Sequence, residues 1–237
     1  MKLGSTTANQ WDILPDAIDI SRGEHARRPA RIEARGRDVI LDLAATAIIV
    51  IDMQELFCRL RPGEAAAATA QPIAPLQRLL PHLRASGVPV IWLNWGNRPD
   101  KLNLAPGVIR PFHRAGGPTP PILDKDSGDA QIIAGLVPDA ADIHIDKYRL
   151  SGFWDTELDS VLRNLRVQTL LFAGVNLDQC VYATLLDAHC LGYDCLLVED
   201  CAATRSPRFC TEASLYNIEG GLGFVTSSTA LLAARSA

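Results

Sequence analysis

Three side chains far apart in the chain, Cys180, Asp52 and Lys147, make up the set a thiol needs to attack a carbonyl. The thiolate is the nucleophile, a carboxylate takes and returns its proton, and an ammonium keeps the two negative groups compatible. Each follows a run that reads as a buried strand. Asp52 ends Thr46-Ala47-Ile48-Ile49-Val50-Ile51, and Lys147 comes two residues after Ile143-His144-Ile145. Cys180 follows Thr169 to Val175 across the turn Asn176-Leu177-Asp178-Gln179 and opens the next helix. A cysteine at a helix start is expected to titrate below the free thiol value of about 8.5, because the first amides and the helix dipole favour the anion.

Other constellations are weaker. There is no H-E-x-x-H, and Cys190, Cys195, Cys201 and Cys210 form no C-x-x-C pair. His25, His82, His113, His144 and His189 are scattered, so no metal and no cofactor is expected. Gly220-Gly221-Leu222-Gly223 lacks the Lys-Ser/Thr that completes a phosphate loop.

The elements that must position the three residues alternate along the chain. The β-branched run at 46–51 has the pattern of a strand buried on both faces. Ile73 to Ser86 repeats apolar residues at helical spacing and stops at Gly87. Strands then read at 88–93, 143–145, 169–175, 195–198 and 224–225, with helices at 156–164, 180–191 and 207–219. Residues 96–128 read as a long loop. This order predicts an α/β fold: a Rossmann-like, doubly wound, mostly parallel sheet with helices on both faces. Ligands of such sheets sit outside the carboxyl ends of the strands, the edge on which all three residues fall.

Residues 1–31 read as an N-terminal extension without regular pattern, and 32–237 as the catalytic domain. The extension and the first hairpin carry Arg22, Arg27, Arg28, Arg31, Arg35 and Arg37 against Glu24, Glu33 and Asp38. No aromatics interleave with them, so a solvated arm packed on a neighbouring subunit is favoured over an anion-binding arm, and a homodimer or homotetramer is expected. The net charge of −4 leaves no basic field for nucleic acid or an anionic membrane. The longest apolar run, Leu43 to Ile51, is less than half the ~20 residues a spanning helix needs. With no apolar signal segment, and with cysteines that read as small buried hydrophobes, a cytoplasmic location is expected.

Ile49-Val50-Ile51-Asp52-Met53-Gln54, Asp146-Lys147, Gly174 through Val181, and Val198-Glu199-Asp200-Cys201-Ala202-Ala203-Thr204 together resemble the isochorismatase-like cysteine hydrolase superfamily. Within it, Lys147-Tyr148-Arg149-Leu150-Ser151-Gly152-Phe153 is most similar to ureidoacrylate amidohydrolases. Biuret hydrolases and N-carbamoylsarcosine amidases share the set. The resemblance implies a Cys–Asp–Lys triad, with Cys180 as nucleophile, Asp52 as acid–base and Lys147 as cation. It also implies a cis peptide at Val175–Asn176 and an oxyanion hole from the amides of Asn176 and Cys180. The substrate would be a small linear amide or ureide, cleaved through a thioester with release of ammonia.

Nicotinamidase-like members carry an Asp/His metal site after the first strand. Here the only histidines of residues 53–120 are His82 and His113. Another small carboxamide, or a non-catalytic binding role, is the alternative. Gln54, Phe57, Asn94, Trp95, Asn97 and Phe153 are expected to contact substrate, with Trp154 as a further wall. Arg98, Lys101, Arg110 or Arg149 would pair with a substrate carboxylate.

Overall fold

The computed structural model describes residues 1–6, 9–60, 68–110 and 123–237; His113 lies outside them. Its first strands, β1 (Lys2–Thr6), β2 (Asn9–Ile13), β3 (Ala17–Asp19), β4 (Pro29–Ala34) and β5 (Arg37–Asp42), lie in one sheet in the order β1-β2-β3-β5-β4, which the C-terminal strand Arg235–Ser236 completes beside β4. The reading of residues 1–31 as an irregular extension is therefore corrected: they contribute strands, and a boundary at residue 31 cuts through β4. The hairpin of β4 and β5 pairs from Pro29↔Asp42 to Ala34↔Arg37. Short strands with few apolar residues leave little periodicity to read, which is why the sequence alone shows only the hairpin.

Arg22, Arg27, Arg28, Arg31 and Arg35 bind the chain's own carboxylates and carbonyls. Arg22 Nη1 lies 2.5 Å from Asp194 Oδ2, both side chains buried, and Trp11 Nε1 donates to the other oxygen of Asp194 at 3.1 Å. Arg31 pairs with Asp16 and Asp38, and Arg35 with Glu199 and Glu219. Arg28 donates to the carbonyls of Ser86 and Leu43. The predicted arm thus makes extensive contacts with its own domain. Burial raises the Asp194 carboxyl above its ordinary value, and Arg22 opposes that shift. Arg22→Ala should therefore cost about 3–5 kcal/mol in urea unfolding, the cost of an uncompensated buried charge. The deficit should shrink as pH falls and Asp194 takes a proton; a constant deficit between neutral and acid pH would contradict this.

The second sheet contains β6 (Thr46–Ile51), β7 (Val90–Trp95), β8 (Ile143–Lys147), β9 (Thr169–Val175), β10 (Asp194–Ala203) and β11 (Phe224–Thr226). All are parallel, in the order β11-β10-β9-β6-β7-β8. The chain runs outward from β6 to β8, then returns to the other side of β6 for β9, so the topological switch point lies between β6 and β9.

Alternate residues of β6 enter two cores. Ile48 and Val50 pack with Leu76, Leu79, Leu80 and Leu83 of a helix over Ile73–Ala85. Ala47, Ile49 and Ile51 pack with residues of helices over Leu158–Asn164 and Tyr182–Cys190. The predicted doubly wound α/β architecture is observed. Strand ends moved where polar residues continue the ladder: β8 runs on to Lys147 and β10 to Ala203, because parallel pairing with a neighbour holds residues that composition alone does not mark as strand.

One glycine decides how β9 meets β6. Gly174 has φ +114°, and a Cβ there would collide with the Ile51 carbonyl. Only glycine lets the end of β9 lie this close to the residue preceding Asp52.

Candidate active site

β6 stops at Asp52, whose amide still donates to the Leu93 carbonyl at 3.0 Å. Asp52 itself adopts φ +52°, a left-handed conformation worth about 1–3 kcal/mol of strain in a non-glycine residue. Lys147 is the last residue of β8, paired in register with Trp95 at the end of β7. Its Nζ lies 2.9 Å from Asp52 Oδ2 and 4.2 Å from the centroid of the Trp95 ring, and donates to the Arg149 carbonyl at 3.1 Å. Cys180 sits in a π-helical turn, Leu177–Val181, that leads into the helix starting at Tyr182. Its thiol is near enough to Asp52 and Lys147 to feel the charge of both. The Val175–Asn176 peptide is cis. The Asn176 carbonyl accepts from the amides of Gln179 and Val181, at 3.0 and 3.2 Å.

The three groups are almost sealed from solvent: Lys147 is 0%, Asp52 1% and Cys180 5% exposed. Burial raises the Asp52 carboxyl above its ordinary value, opposed chiefly by the charge of Lys147. Burial, with the nearby Asp52 charge, pushes the Cys180 thiol up to about 12, and Lys147 pulls it back only in part. This corrects the expectation of a lowered thiol pKa. Helix-terminal amides and the dipole are typically worth about 0.3–1 kcal/mol, less than the cost of removing a thiolate from water. The resting cluster is a thiol, a carboxylate-bearing site and an ammonium held in contact. Among the described residues no group of three or more His, Cys, Asp and Glu side chains is gathered as a metal site.

Cys180 opens onto a cavity of about 540 Å³. Phe57 and Trp95, both expected to contact substrate, line it together with Asn176, and so does Trp154. Val108 and Leu186 add walls that the sequence did not point to. Four expected contacts lie elsewhere. Gln54 is a buried brace: its Nε2 donates to the carbonyls of Trp95 (2.8 Å) and Ala130 (2.7 Å), and its Oε1 accepts from the Trp95 amide (3.0 Å). Asn94 lines a separate cavity with His144 and Asp146. Asn97 is buried where its backbone pairs with Leu123 and Lys125. Phe153 packs on Tyr193, ring centroids 5.9 Å apart.

The common reason is that a position at a strand end fixes the edge of the sheet but not the direction in which the side chain leaves it. Of the four candidate cations, Arg98 pairs with Asp100 and Lys101 with Asp124, Arg110 is exposed at the end of a short helix, Pro106–Ile109, and Arg149 alone lines the cavity. Gln54→Leu strips partners from three backbone groups, each costing about 1–3 kcal/mol when left buried and unpaired. It should lower the melting temperature clearly; an unchanged melt would refute the bracing role.

Comparison with known proteins places this architecture. The Isochorismatase domain model matches residues 46–230. A ureidoacrylate amidohydrolase RutB from Methylorubrum extorquens is 31% identical over 219 residues, covering 86% of this chain and 88% of that protein. The RutB of Pseudomonas syringae pv. syringae is 30% identical, with coverages of 84% and 88%. Among solved structures, a cysteine hydrolase from Pseudomonas syringae pv. phaseolicola superposes with a TM-score of 0.70 at 29% identity, covering 80% of this chain and 91% of that one. N-carbamoylsarcosine amidase from Thermoplasma acidophilum gives 0.64 at 27%, with coverages of 77% and 96%. A parallel sheet with its cavity at the carboxyl edge, and relatives named amidohydrolase and amidase, define the class: a hydrolase of non-peptide carbon–nitrogen bonds on a doubly wound α/β fold. The chain belongs to the isochorismatase family. No helix is long and apolar enough to cross a membrane among the described residues.

Proposed function

We propose that this protein hydrolyses a small linear amide or ureide through a thioester on Cys180, releasing ammonia. The carrying observation is the sealed contact of thiol, carboxylate and ammonium, with Lys147 Nζ 2.9 Å from Asp52 and the thiol facing the cavity. Asp52 takes the proton of Cys180 as sulfur bonds to the carbonyl carbon. The ammonium of Lys147 offsets the negative charge that moves between them. The amides of Asn176 and Cys180 hold the oxyanion, each donor worth roughly 2.7–4 kcal/mol. Asp52 then passes the proton to the leaving nitrogen, the C–N bond breaks, and ammonia departs. Water, deprotonated by Asp52, attacks the thioester; sulfur leaves and regains its proton. The sum is R–CO–NH2 plus water giving the acid and ammonia.

Relatives named for ureidoacrylate and N-carbamoylsarcosine support a ureido or carbamoyl substrate. Six free cysteines, three of them buried in addition to Cys180, suit a reducing compartment such as the cytoplasm. An ammonia-release screen over biuret, ureidopropionate, N-carbamoylsarcosine and maleamate tests the reading, with the Cys180→Ala protein as blank. Turnover of none of them by a protein whose thiol alkylates readily would overturn the ureide assignment.

A further inference from the structure

The cavity wall above Cys180 includes Gly107 and Val108, which belong to residues 98–110, a stretch without a single fully buried residue. Such a stretch gains little from packing, so its position depends on the tethers that fasten it to the rest of the chain. One tether comes from Arg149. Its Nη1 donates to the Asn103 carbonyl at 2.8 Å and to the Tyr148 carbonyl at 3.0 Å, and its Nη2 lies 2.8 Å from Asp155 Oδ2. The same residue offers its main-chain carbonyl to Lys147 Nζ at 3.1 Å. Arg149 therefore grips the cavity wall with its guanidinium and the buried ammonium with its backbone. The Asn103 side chain, by contrast, has both amide atoms buried without a hydrogen-bond partner, which weakens the closed position of the stretch.

We propose that Arg149 is a positioning residue, a latch that holds residues 98–110 closed over Cys180, and not the anchor of a substrate carboxylate. Two of its guanidinium nitrogens are spent on the protein, on carbonyls and on Asp155, and a planar fork of this kind can span two segments at once where a lysine holds one. The inference rests on Cys180 being the reacting thiol. Opening the latch uncovers that thiol while it admits water to a site that works dry.

The test is the rate at which Cys180 is alkylated, read by mass spectrometry of its peptide after digestion because the exposed Cys190 also reacts, in the wild type, Arg149→Gln and Arg149→Lys. Iodoacetamide and iodoacetate are the probes, and ammonia release from the amide found in the screen is measured alongside. A latch predicts that both reagents react at least tenfold faster with Arg149→Gln and less so with Arg149→Lys, while turnover falls. Opposite movements of the two readouts distinguish an opened cavity from a damaged site, which would lose both. Unchanged alkylation in both variants overturns the latch, and a variant in which iodoacetate alone reacts more slowly makes Arg149 a carboxylate anchor instead. Because alkylation needs no substrate, its result stands apart from the screen: a wild type that releases no ammonia sinks the hydrolase reading and leaves the latch to be judged on alkylation.

Discussion

Cys180→Ala should abolish ammonia release, by about 10⁴-fold or more, with the fold intact. The size follows from what the residue does: without sulfur no thioester forms, and knocking out a nucleophile that works in a set costs about as much as losing the whole set. The stability side points the other way. The change removes one buried sulfur, comparable to a methylene at about 0.8 kcal/mol, and the thiol rests protonated, so no charge is left unbalanced. A melting temperature within a few degrees of the wild type, together with lost turnover, is the expected pair of results. Residual activity above a few per cent would mean that another group attacks the carbonyl.

The second large effect concerns the buried pair. Asp52→Asn removes the base and should lower kcat/KM by about 10²–10⁴-fold. It also leaves the Lys147 ammonium buried without its counter-charge, which should cost about 3–5 kcal/mol in unfolding. Lys147→Met is the converse and carries a sign. The carboxyl of Asp52 is already raised by burial, and Lys147 is the largest influence opposing that rise. Taking Lys147 away moves the Asp52 pKa further up.

Catalysis needs the ionised carboxylate, so the acid limb of kcat/KM should stand above the ordinary carboxylate range in the wild type and move to higher pH in Lys147→Met. For stability the sign is as follows. A carboxyl that titrates higher folded than unfolded contributes stability that is full below the unfolded value and lost as pH rises through the folded one. Lys147→Met should therefore be least destabilised at acid pH, where Asp52 is neutral. The double variant Asp52→Asn/Lys147→Met should be more stable than either single one, because no lone charge remains. Additive losses in the double variant, or an acid limb that stays in place, would show that the two side chains do not act as a pair.

Much of this was legible in the chain because parallel sheets impose a strong pattern. A strand covered by helices on both faces reads as a continuous β-branched run, as at 46–51 and 169–175, and the residue after such a run must lie on the carboxyl edge. That logic, with the motifs around Asp52, Lys147 and Cys180, selected the three residues that the fold gathers. It could not give the thiol its electrostatic setting, because local position suggests a lowered pKa whereas burial, a property of the whole domain, raises it. Nor does it give the partners of Gln54 and Phe153, which are the Trp95 backbone and the Tyr193 ring, brought near only by the fold.

The chain by itself determined the parallel α/β sheet, the edge where chemistry is done and the chemical types present there, since these rest on periodicity and on residues adjacent in sequence. Only the tertiary structure decided that Lys2–Thr6, Asn9–Ile13 and Ala17–Asp19 are strands, with Arg22 docked on Asp194, that the cluster is sealed, and which side chains wall the cavity. Those outcomes depend on desolvation and on partners more than a hundred residues away, and neither is written in any local stretch of sequence.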